Sequence, residues 1–274
     1  MIKYLSAIVL ATATFVGSSA AFAADVAPLK ILLITGGCCH DYAQQKNILK
    51  NGIQARAHCV VEQVHSDDTT FTPPLAIYGN PDYAKGFDLV IHDECAASIS
   101  DPAVVAGVLK PHQDGVPGVN LHCAMHSYRS GDFQKSVTPG AANATWFEYL
   151  GLQTTSHGAQ LPIAITFVDK EHPIVKGMAD WTTINEELYN NVNVLTSHAL
   201  ARGKQGTKEN DAGNVIIWTN EYGAKKTRVF STTLGHNNGT VEDPRYLDLV
   251  TRGVLWATGH LNADGTAATG YGKK

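Results

Sequence analysis

Three runs of apolar, largely β-branched residues each lead to a histidine, and this repeated ending constrains the fold more than any other feature of the chain. Residues 30–35 run through Gly36, Gly37, Cys38 and Cys39 to His40, residues 116–121 stop at His122, and residues 228–234 run through Gly235 to His236. Short apolar runs bounded by glycine and followed by helical periodicity are the pattern of buried parallel strands. In open α/β sheets, ligands bind beyond the carboxyl ends of such strands. If the three strands lie parallel and close together, three imidazoles meet above one sheet edge. Each can move a proton near neutral pH or offer a lone pair to a metal. One such histidine is as often a packing residue; three at equivalent positions define a candidate site.

The flanking elements fit this arrangement. Asp41 is a suitable N-cap for a helix that places Tyr42, Leu49 and Ile53 on one face. Residues 57–65 read as a second strand and residues 87–92 as a third, which ends in the polar group His92, Asp93, Glu94. Asp101 and Pro102 open a second helix with Val104, Val105, Val108 and Leu109 inward. With residues 116–121 as the fourth strand, the order predicts a doubly wound parallel sheet with right-handed crossovers. Later strands are expected over residues 162–168, 192–198, 215–219 and 227–233. They add antiparallel pieces to a mostly parallel α/β sheet. A short helix over 146–150 and a long final helix from Asp243 and Pro244 complete the pattern.

The N-terminus carries Lys3, then an apolar stretch over residues 4–16, then small residues ending in Ala21, Phe22 and Ala23. That order predicts a secretory signal over residues 1–23, too short for a membrane span, and hence a periplasmic or secreted protein. Residues 24–261 are then expected to form one domain and residues 262–274, rich in Gly, Ala and Thr, a flexible tail. No later stretch is apolar enough to cross a bilayer. The net charge of −4, without a Lys/Arg cluster, argues against nucleic acid as a partner and leaves small neutral or weakly charged ligands. The oligomeric state stays open. Five cysteines, an odd number, leave at least one unpaired within a monomer. Cys38 or Cys39 with Cys95 is the expected bridge, since both follow strands that can be adjacent.

Gly36 and Gly37 permit a tight turn with amides free for an anion or carbonyl oxygen, but they are no dinucleotide fingerprint, because the third glycine and the ribose acid are absent. His122 occupies the sharp strand-to-helix turn where α/β hydrolytic enzymes carry a nucleophile. Cys123 takes that place if the register slips by one, against its plainer role as a small buried thiol. Glu186 and Glu187 are either an exposed acid pair or acids that orient imidazoles, act as a base or ligate a metal. Tyr42, Trp146, Tyr189 and Trp218 offer rings for stacking on a sugar, although aromatics at such spacings more often belong to a core.

Taken in order, Gly36, Gly37 and His40, then Val119, Asn120, Leu121, His122 and Ala124, then His172, Pro173 and Ile174, then Glu187, Leu188 and Tyr189, then Arg228, Val229, Phe230, Leu234, Gly235 and His236, and finally Trp256 and Ala257 resemble the successive motifs of ThuA-like (trehalose-utilisation) proteins. The resemblance runs from Lys30 to Leu261. It implies a flavodoxin-like fold related to class I glutamine amidotransferases, with His122 near the position of their catalytic cysteine. It further implies a role in sugar metabolism, directed at trehalose or keto-sugar derivatives. The pocket residues it implies are His40, His122, Glu187 and His236. Cys38, Cys39 and Cys123 depart from the usual pattern, which leaves room for a redox or metal role particular to this chain.

Together these readings give an exported enzyme in which His122, His236 and Glu187 are catalytic and His40, Gly37 and Tyr189 bind a carbohydrate. A variant holds a divalent metal such as Zn on His40, His122 and His236. The alternatives are a non-catalytic carbohydrate-binding protein and a cysteine-dependent amidase.

Overall fold

A computed structural model describes Met1 and residues 26–206 and 213–274. The expected secretory signal lies, from residue 2 onward, outside the described residues. The elements in chain order are β1 (Leu29–Gly37), α1 (Tyr42–Gln54), β2 (Cys59–Ser66), β3 (Leu89–Cys95), α2 (Pro102–Gln113), β4 (Gly118–Leu121), α3 (Thr145–Leu150), β5 (Leu152–Gln153), β6 (His157–Phe167), β7 (Trp181–Tyr189), β8 (Asn193–Val194), β9 (His198–Lys204), β10 (Asn214–Tyr222), β11 (Thr227–Thr232), α4 (Asn238–Val241) and α5 (Pro244–Ala257).

β1 is apolar along its length because both of its faces are covered. Ile31 and Leu33 pack with Leu49 and Ile53 of α1 and with Leu247, Val250 and Val254 of α5. Leu32 and Ile34 point the other way, into a layer with Val105, Val108 and Leu109 of α2 and Trp146 and Phe147 of α3. Each such aliphatic side chain contributes roughly 1.5–3 kcal/mol on burial, so the two-sided core dictates a central strand and excludes a solvent-facing one.

The main sheet has the order β2-β1-β3-β4-β11-β10-β9-β6-β7. The first five strands are mutually parallel, and β10, β9, β6 and β7 continue antiparallel. The fold is therefore the flavodoxin-like, mostly parallel α/β sheet with antiparallel additions expected from the sequence. β1, β4 and β11 end at one rim, with β3 between β1 and β4. The order reverses beside β1, the place where doubly wound sheets bind ligands.

Four differences separate the structure from these expectations. β3 continues through Cys95, so His92, Asp93 and Glu94 lie within the strand and are buried. β7 was not expected as a strand, because Asn185, Glu186 and Glu187 interrupt its apolar pattern, and Glu186 and Glu187 are buried. The strand expected at 192–198 is instead the two-residue β8 paired with β5, and β9 begins only at His198. Residues 262–274, expected as a mobile tail, return to the body: the Tyr271 ring stacks on His260 at 3.6 Å and the Tyr271 carbonyl accepts from His58 N at 2.9 Å.

Candidate functional site

The three histidines meet. The His40 ring lies 4.6 Å from that of His122 and 4.7 Å from that of His236, and His122 and His236 are 5.4 Å apart, measured between centroids. One nitrogen from each falls within 4.8 Å of the others. Glu187, entering from β7, approaches His236 Nδ1 at 3.3 Å and His122 Nε2 at 3.6 Å.

Each side chain is placed by local backbone. His122 sits at the apex after β4 with φ 43, a left-handed conformation that costs a non-glycine residue about 1–3 kcal/mol. That turn aims Nδ1–H at the Thr233 carbonyl, 2.6 Å away, and leaves Nε2 facing the cluster, with the Tyr189 hydroxyl at 3.4 Å. The loop carrying His236 is held from two sides. Glu186 accepts from the backbone N–H groups of His236 and Asn237 at 3.1 and 3.3 Å, and the Gln45 amide donates to the carbonyls of Gly235 and His236. Glu186 and Glu187 are thus not an exposed pair: one fixes backbone and the other faces the imidazoles.

Protonation follows from this packing. Burial, with the neighbouring imidazoles of His122 and His236, lowers the His40 pKa to about 2, so that ring is neutral at physiological pH. Burial also opposes charge on His236, but the Glu187 carboxylate, helped by Glu186, outweighs it and raises this imidazole above its ordinary value. Burial acts against ionised Glu187 too, and is outweighed by His122 and His236, which hold the carboxyl below the usual range. Burial and the nearby carboxylates keep the Tyr189 phenol protonated.

Two cavities flank the cluster, and His40 borders both. The larger, about 780 Å³, is lined by Asp41, Gln160, Asn185, His236, Asn237 and Asn238 among others. The smaller, about 300 Å³, is lined by residues including His126, Arg129, His157, Glu187 and Tyr189.

Several residues singled out in the sequence lie elsewhere. Gly37 borders neither cavity, and its amide is not free, because it donates to the Asp68 carbonyl at 3.1 Å. Its φ of 98 and its contact with β3 explain the glycine: a Cβ would stand 2.2 Å from the Cys95 carbonyl oxygen. Trp146 and Trp218 are core residues whose indole N–H groups donate to backbone carbonyls, so neither can stack on a ligand. Tyr42 is buried too, with its ring 5.4 Å from that of His40. His92 and Glu94 belong to an interior network in which Glu94 Oε1 accepts from Tyr78 and Tyr128 at 2.7 Å each and His92 Nε2 meets His112 Nε2 at 3.0 Å. His172 packs against Trp256 and His198. The expected bridge from Cys38 or Cys39 to Cys95 is replaced by Cys38–Cys39 and Cys95–Cys123, because Cys123 on the turn after β4 also reaches Cys95. Cys59 is free and buried.

Sequence reasoning missed His126, His157 and Gln160. His126 stacks on Tyr189 at 4.2 Å, His157 Nε2 lies 3.5 Å from Glu187, and the Gln160 amide lies 2.7 Å from His236 Nε2. The four-residue spacing from His122 to His126 was the one available signal; β6 and β7 hold the others in place through pairing that no local pattern reveals.

A family model described as ThuA, trehalose utilisation, matches residues 30–257. Among solved structures, a ThuA-like protein from Parabacteroides merdae superimposes with a TM-score of 0.64 at 19% identity, covering 90% of this chain and 98% of that one. A ThuA-like protein from Bacteroides uniformis gives a TM-score of 0.58 at 17% identity, covering 87% and 96%. A search of curated proteins returned no significant match.

Proposed function

The chain belongs to the ThuA family, and from that premise we propose that it is a sugar-processing enzyme in which His122, His236 and Glu187 move protons on a carbohydrate or keto-sugar. The observation that carries this reading is a pair of imidazoles, 5.4 Å apart, prepared for opposite tasks. His122 spends its Nδ1–H on the Thr233 carbonyl, so Nε2 is the atom that takes a proton. His236, whose affinity for a proton is raised by Glu187, is the atom source for giving one. A base and an acid on either side of a bound carbon or hydroxyl are the requirement for enolisation, isomerisation or elimination at a sugar centre. The larger cavity supports a polyol ligand, because Asp41, Gln160, Asn185, Asn237 and Asn238 offer hydrogen bonds in a volume within the roughly 300–1,000 Å³ of small-molecule sites. His40, held neutral, accepts from the substrate.

The test is turnover of a panel of sugars and keto-sugars by wild type, His122→Ala and His236→Ala, with folding monitored by circular dichroism. Imidazole acid/base catalysis supplies about 10²- to 10⁴-fold, so each variant should lose at least that much while remaining folded. Wild-type rates in both would remove the proposal.

A second reading adds a divalent metal, favoured by one observation: His40 Nδ1 is buried without a hydrogen-bond partner among the described residues. The donor set fits, since three imidazole nitrogens within 4.8 Å and an adjacent carboxylate suit Zn or a similar ion. His40, His122 and His236 would hold it, and it would polarise a carbonyl or hydroxyl oxygen. Metal content by elemental analysis, together with a zinc-induced rise in melting temperature that His40→Ala abolishes, tests this without an activity assay. No bound metal and no shift would exclude it.

A further inference from the structure

Four of the five cysteines gather beside the histidine cluster. Cys38 is bonded to Cys39 and Cys95 to Cys123, and Cys38 Sγ lies 3.4 Å from Cys95 Sγ. The two disulfides are therefore in contact end to end. Cys38, Cys95 and Cys123 are buried, whereas Cys39 is exposed and opens on both cavities. The smaller cavity exposes Cys39, Cys95 and Cys123 on one wall and carries Arg129 on another.

A bond between neighbours in sequence closes almost no chain. The stabilisation of a disulfide by restricting the unfolded state grows with the loop it closes, so Cys38–Cys39 is a poor staple. A stabilising role would also not require an exposed sulfur at the mouth of a cavity. Cys39 holds its place with φ 81, a left-handed conformation that a side chain rarely adopts. Chemistry explains these features better than stability does.

We infer that these four sulfurs form a thiol–disulfide exchange site that takes a small molecular thiol as its reductant. The thiolate of the incoming molecule attacks Cys39 Sγ; a mixed disulfide forms, the Cys38–Cys39 bond breaks, and Cys38 leaves with the electron pair. Cys38 then attacks Cys95 Sγ, 3.4 Å away, so that a Cys38–Cys95 bond forms while Cys123 leaves as thiolate and takes up a proton. A second molecule of the thiol attacks the mixed disulfide, departs as the oxidised dimer of the reductant, and frees Cys39. Two thiols are oxidised to one disulfide, and the protein exchanges two disulfides for one disulfide and two thiols. Arg129 supplies positive charge to the cavity in which the incoming thiolate and the Cys123 thiolate appear, which favours the reactive form. The cavity volume of about 300 Å³ accommodates a small thiol.

The relay is tested on the full chain purified without reductant. The protein is incubated with reduced glutathione, quenched in acid, alkylated, and mapped by tandem mass spectrometry. The expected product carries a Cys38–Cys95 link with Cys39 and Cys123 alkylated, at two thiols per oxidised glutathione formed. Cys39→Ser removes the entry step and leaves Cys38 facing Cys95; this variant should show the same link and a free Cys123 with no glutathione added. Two results would overturn the inference. One is a folded wild-type protein that releases no thiol to glutathione while the denatured control releases them. The other is a Cys38–Cys95 link absent at every stage of reduction in wild type, which decides the matter even if the variant fails to fold.

Discussion

Replacing Glu187 by Gln should uncouple the histidine cluster, and the consequence can be followed without knowing the substrate. The carboxylate stands 3.3 Å from His236 Nδ1 and 3.6 Å from His122 Nε2, and both of its near neighbours, like itself, are largely shielded from water. An opposite charge at this range raises an imidazole by about 1–3 pH units, against which burial acts in the other direction. In Glu187→Gln the charge is gone and the burial stays, so the His236 midpoint should fall. Each pH unit of that fall corresponds to about 1.36 kcal/mol of differential stability. The sign sets where it appears. A folded-state pKa raised above the unfolded value contributes stability that is complete below about 6.5 and lost as pH rises through the folded value. The variant should therefore be destabilised most near pH 5.5 and least near pH 9, where His236 is neutral in both proteins. Histidine NMR titration reads the midpoint, and urea denaturation at the two pH values reads the stability. An unchanged midpoint, or a stability difference that does not vary with pH, would refute the argument that Glu187 sets the proton affinity of His236.

Gly37→Ala should cost about 2–4 kcal/mol in urea denaturation, since it adds a Cβ 2.2 Å from the Cys95 carbonyl oxygen at a left-handed backbone position; a change below 1 kcal/mol would mean that β1 and β3 separate freely at their ends. Glu94→Ala leaves Tyr78, Tyr128 and His92 without their shared acceptor and should cost about 3–5 kcal/mol. Burial disfavours charge on Glu94, but His92 and the two phenols outweigh it and lower its pKa, so its stabilisation is present above the ordinary carboxylate range and lost as pH falls through the folded value. Loss of the acid-limb dependence in Glu94→Ala melts is the check. Asp41→Ala removes the acceptor for Gln44 N and for the Asn238 amide, and should cost about 1 kcal/mol by thermal melting.

The local pattern of the chain was sufficient for its first half. Gly-bounded apolar runs with helices between them can only form central strands covered on both faces, and the three histidines inherit their place from that. His40, His122 and His236 were legible for this reason: a residue just past a parallel strand has its location decided by the strand. Asp41 and Asp243 were legible as helix starts because capping is local, with Gln44 N and Arg245 N as their partners.

What the tertiary structure decided is everything that depends on pairing between distant segments. β7 carries Asn185, Glu186 and Glu187 where a strand would carry apolar side chains, and only its pairing with β6 turns Glu187 toward the imidazoles and Glu186 toward the His236 backbone. His157 and Gln160 reach the cluster by the same pairing. Residues 30–35 and 87–92 signalled strands, but which cysteine meets which depends on how the turns after β1 and β4 and the end of β3 place four sulfurs in space. Composition and periodicity report which side chains prefer burial and which residues stand at the ends of parallel strands; they carry no information on which antiparallel strands pair or in what register. For this chain the strands and their histidines follow from the first kind of information, and the carboxylate beside the imidazoles and the cysteine pairings follow from the second.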